Sequence, residues 1–215
     1  MERNRKARKK AKPTNVDGIK FFSAKEIKLL RRHVRQKAEA DLKCRRKTAV
    51  REWMAIDLLT CTGLRVSEAA NLKIGDLNIS YGNSSIFVRN GKGNISGTVE
   101  IPANLKKHLK QFLRWKKEQG EGTCEDDFLF VGQRGKWTSQ AIQQIVKKYL
   151  KQLNLYQNGK SVHALRHSYA VALYSKERDL RTVQRQLRHR SIQSTLVYAD
   201  VTTEEIQSQI RGLWT

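Results

Sequence analysis

Helical spacing of hydrophobic residues marks the start of the folded pattern in this chain. Ile27, Leu30 and Val34 recur at intervals of three and four residues, which is the stripe of an amphipathic helix. Ser23 precedes the stripe, and Glu26 lies three residues after Ser23. The spacing of these two side chains predicts a capping box. A first helix is therefore predicted to begin directly after Ser23.

A second helix and a small sheet are predicted downstream. Residues 48–63 are apolar on nearly every face and end near a glycine, which is typical of a helix at the centre of a core. Shorter stretches at 77–79, 86–88 and 98–101 have the composition of strands, and the last two bracket a glycine-rich turn at 90–94. We expect a small antiparallel sheet.

Helical periodicity dominates the rest of the chain. It predicts helices at about 103–117 and 138–153, separated by a short extended piece at 128–130. Four further helices are predicted at 161–174, 179–187, 192–198 and 203–214. The predicted fold is α+β, predominantly α-helical, with a small antiparallel three-stranded sheet, in one domain that spans residues 20–215.

Positive charge is the main feature of the composition. Among 215 residues, 43 are Lys or Arg and 20 are Asp or Glu, giving a formal net charge of +23. Such a surplus favours a polyphosphate partner, because each neutralised phosphate releases condensed counterions. The alternative is a ribosome-associated protein or a merely soluble basic surface. Residues 1–19 include a cationic run that is predicted to be a disordered tail.

Three other classes of protein are disfavoured by the sequence. No apolar run approaches the length that spans a bilayer, so we expect no membrane partner and a location in the cytoplasm, near the nucleoid. Cys44, Cys61 and Cys124 are isolated thiols with no C-x-x-C pair, which argues against a zinc ribbon and a disulfide scaffold.

Two arginines stand where they could bind a phosphate. Arg166 follows His163 by three residues, so on a helix both would share one face and approach the same ligand. Arg65 lies at a junction between two predicted helices, where free backbone N–H groups also favour an anion. The alternatives are that His163 caps the helix or packs, that Arg166 makes a surface ion pair, and that Arg65 pairs with Glu68 on a helix surface.

A lysine and a tyrosine complete the candidate chemistry. Lys92 lies at the tip of the glycine-flanked turn, where it could donate a proton, contact phosphate, or simply be solvated. The hydroxyl of Tyr198 has an ordinary pKa of about 10 and is a weak nucleophile unless positive charge and a base lie close to it. Taken alone, Tyr198 is better explained by packing.

The order of these segments resembles that of the tyrosine recombinase, or phage integrase, family over roughly residues 20–200. The segment 62–72 resembles the family's first arginine box, and 90–94 resembles its lysine hairpin. Residues 163–168 resemble the H-x-L-R-H box, and 187–191 with Tyr198 resemble the last box. The chain departs from the family at Arg188, where a glycine is usual.

The resemblance implies a site-specific recombinase that acts on double-stranded DNA through a 3'-phosphotyrosyl intermediate. Tyr198 would be the nucleophile, with Arg65 and Arg166 stabilising charge on the phosphate. His163 would be a general base or phosphate donor, Lys92 the general acid to the leaving oxygen, and His189 a further phosphate donor. No cofactor and no metal would be required.

The resemblance also implies assembly and leaves rival functions open. A dimer or tetramer on DNA is expected, with accessory DNA-bending proteins as further candidate partners. Residues 203–214 would dock on a neighbouring subunit or on their own domain. The family's separate N-terminal clamping domain is not seen, an arrangement similar to the small fimbrial switch recombinases. The alternatives are a type IB topoisomerase-like DNA relaxing enzyme and a non-catalytic DNA-binding regulator.

Overall fold

The computed structural model describes residues 20–91, 95–158 and 160–199. The predicted basic tail at 1–19, the candidate Lys92 and the predicted helix at 203–214 lie outside the described residues. Eight α-helices occur in the described part: α1 (Ala24–Lys43), α2 (Thr48–Thr62), α3 (Val66–Ala70), α4 (Ala103–Glu118), α5 (Ser139–Gln152), α6 (Val162–Glu177), α7 (Leu180–Leu187) and α8 (Gln193–Leu196).

The first helix begins as the sequence predicts. The Ser23 side chain accepts a hydrogen bond from the backbone N–H of Glu26, and the Glu26 carboxylate accepts one from the backbone N–H of Ser23. Each side chain thus satisfies a backbone donor that the helix start would otherwise leave unpaired. Leu30 and Val34 of the predicted stripe are buried in the core.

Helix α2 forms the centre of the core. Every residue from Met54 to Thr62 is buried, which agrees with the nearly all-round apolar pattern of this segment. Its one buried acid near the middle, Asp57, accepts from the guanidinium of Arg31 at 2.7 Å and contacts His108 at 2.8 Å. This carboxylate therefore links α1 and α4 to α2 while its charge remains compensated.

A three-stranded antiparallel sheet lies between α3 and α4, with strand order β1-β2-β3. Its strands are β1 (Leu77–Asn78), β2 (Ser85–Gly91) and β3 (Ile95–Glu100). Ile86 of β2 lies opposite Val99 of β3, and both side chains are buried. The mostly helical architecture and this sheet confirm the predicted fold class.

Three short segments differ from the prediction. A hairpin of β4 (Val131–Gly132) and β5 (Gly135–Lys136) was not predicted, because two-residue strands carry no periodicity. The predicted extended piece at 128–130 forms only a single bridge, between Lys73 and Phe128. Helix α8 is shorter than the predicted 192–198.

The C-terminal helices enclose a second, smaller apolar cluster. Its buried members are Ala170, Val183, Leu187 and Tyr198. Helix α7 joins this cluster to the sheet through two hydrogen bonds. The Gln186 side-chain amide accepts from the backbone N–H of Glu100 and donates to its backbone carbonyl. The cluster thereby fixes the last segment of the described chain against β3. Among the described helices, none is both long and apolar enough to cross a membrane.

Candidate active site

The end of α2 and the start of α3 present Arg65. Gly63 ends α2 in the left-handed conformation with φ of 63°, and Arg65 is the residue directly before α3. The Glu68 carboxylate accepts from the Arg65 backbone N–H at 2.7 Å and from its guanidinium at 2.8 Å. The Arg65–Glu68 pair considered from the sequence does form, but Glu68 is buried and not on a helix surface.

Glu68 remains ionised in this position. Burial raises its pKa, but contacts with the guanidinium of Arg188 and with Arg65 outweigh burial and hold the pKa below its ordinary value. A buried, ionised carboxylate thus holds both the backbone N–H and the guanidinium of Arg65 in place. Nothing in the sequence pattern singled out Glu68 as a site residue beyond its spacing of three from Arg65.

Arg166 is buried between the end of α2 and the end of α7. Its Nη1 donates to the backbone carbonyl of Gly63 at 2.6 Å, and its Nη2 donates to that of Leu187 at 2.7 Å. Burial, and then the positive charge of Arg65, lower its pKa to about 10, so the side chain still carries its charge at neutral pH. Arg166 therefore joins the first arginine box to the end of α7.

His189 follows α7 and is held by a buried hydroxyl. Its Nδ1 lies 2.9 Å from Oγ1 of Thr195, and its ring lies nearly parallel to that of Tyr198 with centroids 6.3 Å apart. Burial, and then the charges of Arg166 and Arg65, lower the pKa of His189 to about 4. The imidazole is neutral at physiological pH, so one ring nitrogen accepts and the other donates a hydrogen bond.

Tyr198 is buried, and its hydroxyl lies 3.0 Å from Nδ1 of His167. Burial raises the pKa of this hydroxyl, against the opposing effect of Arg166 and Arg65. The pKa of His167 is lowered, by burial first and then by the charge of Arg166. A neutral His167 is therefore available to accept the tyrosine proton.

His167 is a candidate that the sequence analysis did not select. It lies four residues after His163 on α6, and that spacing places both on one helix face. The structure separates their surroundings: His163 is exposed at the first turn of α6, whereas His167 is partly buried against Tyr198. The spacing was the available signal, but only packing decides which imidazole reaches the hydroxyl.

Of the six predicted residues, Arg65, Arg166, His189 and Tyr198 are brought together. His163 lies nearby on the exposed side, close enough for its charge to affect His167. Lys92 is outside the described residues, although the strands that carry its hairpin are described. The turn at Arg188 is formed without the usual glycine, since Arg188 adopts a left-handed conformation.

The arrangement concentrates positive charge around one hydroxyl. Two guanidinium groups, two neutral imidazoles and the tyrosine converge from segments that are distant in sequence. Guanidinium groups bind phosphate oxygens through several N–H donors at once, and they lower the energy of charge that develops on those oxygens. A hydroxyl with an adjacent base is the arrangement of a covalent nucleophile.

Known proteins resemble this chain in sequence and in fold. The phage integrase family matches residues 20–205. The chain is 34% identical over 165 residues to the tyrosine recombinase XerA of Pyrococcus furiosus, covering 76% of this chain and 55% of XerA. It is 34% identical over 195 residues to the tyrosine recombinase XerC of Pediococcus pentosaceus, covering 89% of this chain and 61% of XerC.

Two solved structures superpose on most of the chain. The crystal structure of XerA recombinase has a TM-score of 0.70 at 27% identity, covering 90% of this chain and 64% of that chain. The XerH site-specific recombinase, solved with a palindromic difH substrate, has a TM-score of 0.72 at 24% identity, covering 91% of this chain and 53% of that chain.

The fold is that of a tyrosine recombinase catalytic domain. The chain belongs to the phage integrase family. It spans only part of its curated relatives, 55% of XerA and 61% of XerC.

Proposed function

We propose that this chain is a site-specific recombinase that cuts and rejoins double-stranded DNA through a 3'-phosphotyrosyl intermediate. The observation that carries the proposal is the Tyr198 hydroxyl, which contacts His167 while Arg65 and Arg166 act electrostatically on the same group. The names of the 34% identical relatives, which are tyrosine recombinases, support the same activity.

Tyr198 would attack the scissile phosphorus, and the 5'-oxygen of the next nucleotide would leave. His167 accepts the tyrosine proton, because its neutral ring is already within hydrogen-bond distance of the hydroxyl. Lys92, which lies outside the described residues, would return a proton to the leaving 5'-oxygen. Religation is the reverse attack by a 5'-hydroxyl, so the phosphodiester bond energy is retained in the intermediate.

The non-bridging phosphate oxygens would be held by four side chains. Arg65 and Arg166 supply fixed positive charge, and two of the five N–H donors of Arg166 are used on backbone carbonyls. His189 donates through the nitrogen that does not face Thr195, and the exposed His163 donates from the first turn of α6. Preorganised donors of this kind supply most of the catalysis at such centres.

Partners follow from the same chemistry. Exchange of strands requires two duplexes cut in concert, so we propose a dimer or tetramer assembled on DNA, with accessory DNA-bending proteins as further partners. The net charge of +23 supports a broad contact with DNA phosphates. The protein would act in the cytoplasm, at the nucleoid.

The experiment that tests this function begins with covalent capture. The full chain is incubated with random fragments of double-stranded DNA, denatured, and the DNA that remains attached is sequenced to identify the target site. A nicked duplex of that site then traps the covalent complex, because the short fragment between the cleavage site and the nick diffuses away with its 5'-hydroxyl and religation fails.

We expect a denaturation-resistant adduct that Tyr198→Phe abolishes. Tyr156→Phe is the matched control and retains the adduct, since Tyr156 packs under Lys147 and Lys151 away from the site. An adduct that persists in Tyr198→Phe would refute the assignment of the nucleophile. Supplying two intact duplexes separates the rival activities: a recombinase accumulates four-way junctions, and a topoisomerase-like enzyme relaxes supercoils without them.

A further inference from the structure

Arg188 occupies a backbone position that does not favour arginine. It ends α7 with φ of 53° and ψ of 49°, and its N–H bonds the carbonyls of Arg185 and Gln184. A left-handed residue at this place is usually glycine, because a Cβ atom is strained there. The geometry of the turn therefore gives no reason for an arginine, and the reason has to lie in what its side chain reaches.

The side chain reaches into the candidate active site. Its Nη2 lies 2.6 Å from Oε2 of Glu68, and the Arg188 side chain is 5% exposed. The other two guanidinium nitrogens, Nε and Nη1, are buried and make no hydrogen bond to another described residue. Arg188 therefore holds donors in reserve beside a carboxylate that also binds Arg65.

The Arg188 side chain passes Gly97 of β3 on its way to Glu68. A Cβ atom at Gly97 would stand 3.0 Å from Cδ of Arg188, closer than side chains ordinarily pack. The arginine thus crosses the strand at a position where no side chain opposes it. It connects three segments: the end of α7, the strand β3 and the start of α3.

The charges around Glu68 indicate an electrostatic role for Arg188. Arg65 and Arg188 contact the carboxylate of Glu68, and Arg166 interacts with it electrostatically. These four side chains together carry two net positive charges, and without Arg188 only one would remain. Glu68 holds both the backbone and the guanidinium of Arg65. Without Arg188, the carboxylate would lose its last direct ion-pair partner when Arg65 turned away. That loss would carry a large desolvation penalty, so Glu68 would resist releasing Arg65.

We propose that Arg188 is a positioning residue that neutralises Glu68, so that the Arg65 guanidinium is free to turn from Glu68 to the DNA phosphate. This inference rests on the proposed recombinase function. The unused donors of Arg188 bond Glu68 when Arg65 leaves it. Arg188 acts through Glu68 and Arg65 and does not itself contact the phosphate.

The test measures single-turnover adduct formation by the full chain on the nicked duplex recovered by covalent capture, at saturating protein. Arg188→Gly is expected to slow the adduct by about tenfold or more, the usual effect of losing a charged hydrogen-bonding partner. Its urea unfolding midpoint is expected to change little, because the gain from a glycine in the left-handed backbone opposes the loss of the buried contact with Glu68. Arg188→Lys, which keeps the charge, is expected to recover part of the rate.

A double-mutant cycle separates this role from a structural one. In a Glu68→Gln background no carboxylate needs neutralising, so adding Arg188→Gly is expected to cost much less than it costs alone. Arg185→Ala removes one exposed positive charge from the same helix and serves as the control. Its rate is expected to match that of the unaltered chain.

The outcomes distinguish this inference from the function on which it rests. No adduct with the unaltered chain would overturn the recombinase function and the role of Arg188 together. An adduct that forms equally fast with Arg188→Gly would overturn the role of Arg188 alone. The role of Arg188 would also be overturned if Arg188→Gly cost the same rate whether Glu68 is kept or replaced by glutamine. A loss of rate in Arg188→Gly that parallels a loss of stability would overturn it as well.

Discussion

The Tyr198 hydroxyl and Nδ1 of His167 lie 3.0 Å apart, and the tyrosine is 2% exposed. The candidate nucleophile is thus held by the second histidine of the H-x-L-R-H segment, while His163, the first, faces solvent. The two histidines lie one helical turn apart, but only His167 contacts the tyrosine hydroxyl, so different roles are expected for them. It also gives a direct way to test the assignment.

Replacing His167 should slow formation of the covalent adduct. His167→Ala removes the acceptor of the tyrosine proton, and loss of a general base typically costs about 10²-fold or more in rate. The rate of His167→Ala should recover as pH rises toward the pKa of tyrosine, because ionised Tyr198 needs no base. The measurement is single-turnover cleavage of the nicked duplex as a function of pH.

His163→Ala provides the comparison. It should lower the rate without changing the shape of the pH profile, since His163 is proposed to bind phosphate and not to remove the proton. The opposite pattern, with normal cleavage by His167→Ala and a pH-dependent recovery in His163→Ala, would show that the roles are exchanged.

Arg166→Lys should impair both stability and cleavage, although it preserves the charge. Arg166 donates at once to the carbonyls of Gly63 and Leu187, and a lysine ammonium lacks the planar fork that reaches both. A buried carbonyl left without a donor costs about 1–3 kcal/mol. Urea unfolding measures this loss, and Lys147→Arg on the partly buried side of α5 is a control for the exchange itself. Equal stability of Arg166→Lys and the unaltered chain would contradict the bridging role.

Gly63→Ala should destabilise the fold through two separate effects. The left-handed backbone, with φ of 63°, disfavours any Cβ by about 1–2 kcal/mol. The added Cβ would also stand 2.6 Å from Cδ1 of Tyr169. Such overpacking typically costs about 1–3 kcal/mol more.

Gly120→Ala isolates the first effect. Gly120 has a similar φ of 69°, and nothing lies within 4 Å of the position of its Cβ. The difference between the two unfolding free energies therefore measures the close approach of α6 to the end of α2. Equal losses at the two glycines would mean that Tyr169 moves aside without cost.

Stability should fall as the pH is lowered below the ordinary pKa of histidine. The folded chain lowers the pKa of His189 from 6.5 to about 4, so the unfolded chain binds this proton first and acidification favours unfolding. The contribution of His189 is fully present above about pH 6.5 and is lost progressively between 6.5 and 4. His167 acts in the same direction.

Unfolding free energies measured between about pH 6.5 and 5 separate these histidines from most carboxylates. His189→Gln should flatten the slope in this range, because glutamine does not titrate. A slope that is unchanged in His189→Gln would place the titrating group elsewhere.

The helices could be predicted because their signals are local. The Ser23 capping box, the apolar segment that became α2 and the glycine that ends it are all patterns within a few turns of chain. The same holds for the order of the family's boxes, which named Arg65, Arg166, His189 and Tyr198 before any geometry was known. The hairpin of β4 and β5 escaped because strands of two residues have no such pattern.

Sequence by itself thus determined the secondary structure, the family and a set of residue types fit for phosphate chemistry. Tertiary structure alone decided which partners those residues have. Arg166 bonds a carbonyl 103 residues away, and Glu68 is shared with an arginine 120 positions later in the chain. Contacts of this range depend on how α6 and α7 pack against the end of α2, and local propensity carries no information about that packing. For the same reason only the packed structure distinguishes the buried His167 from the exposed His163.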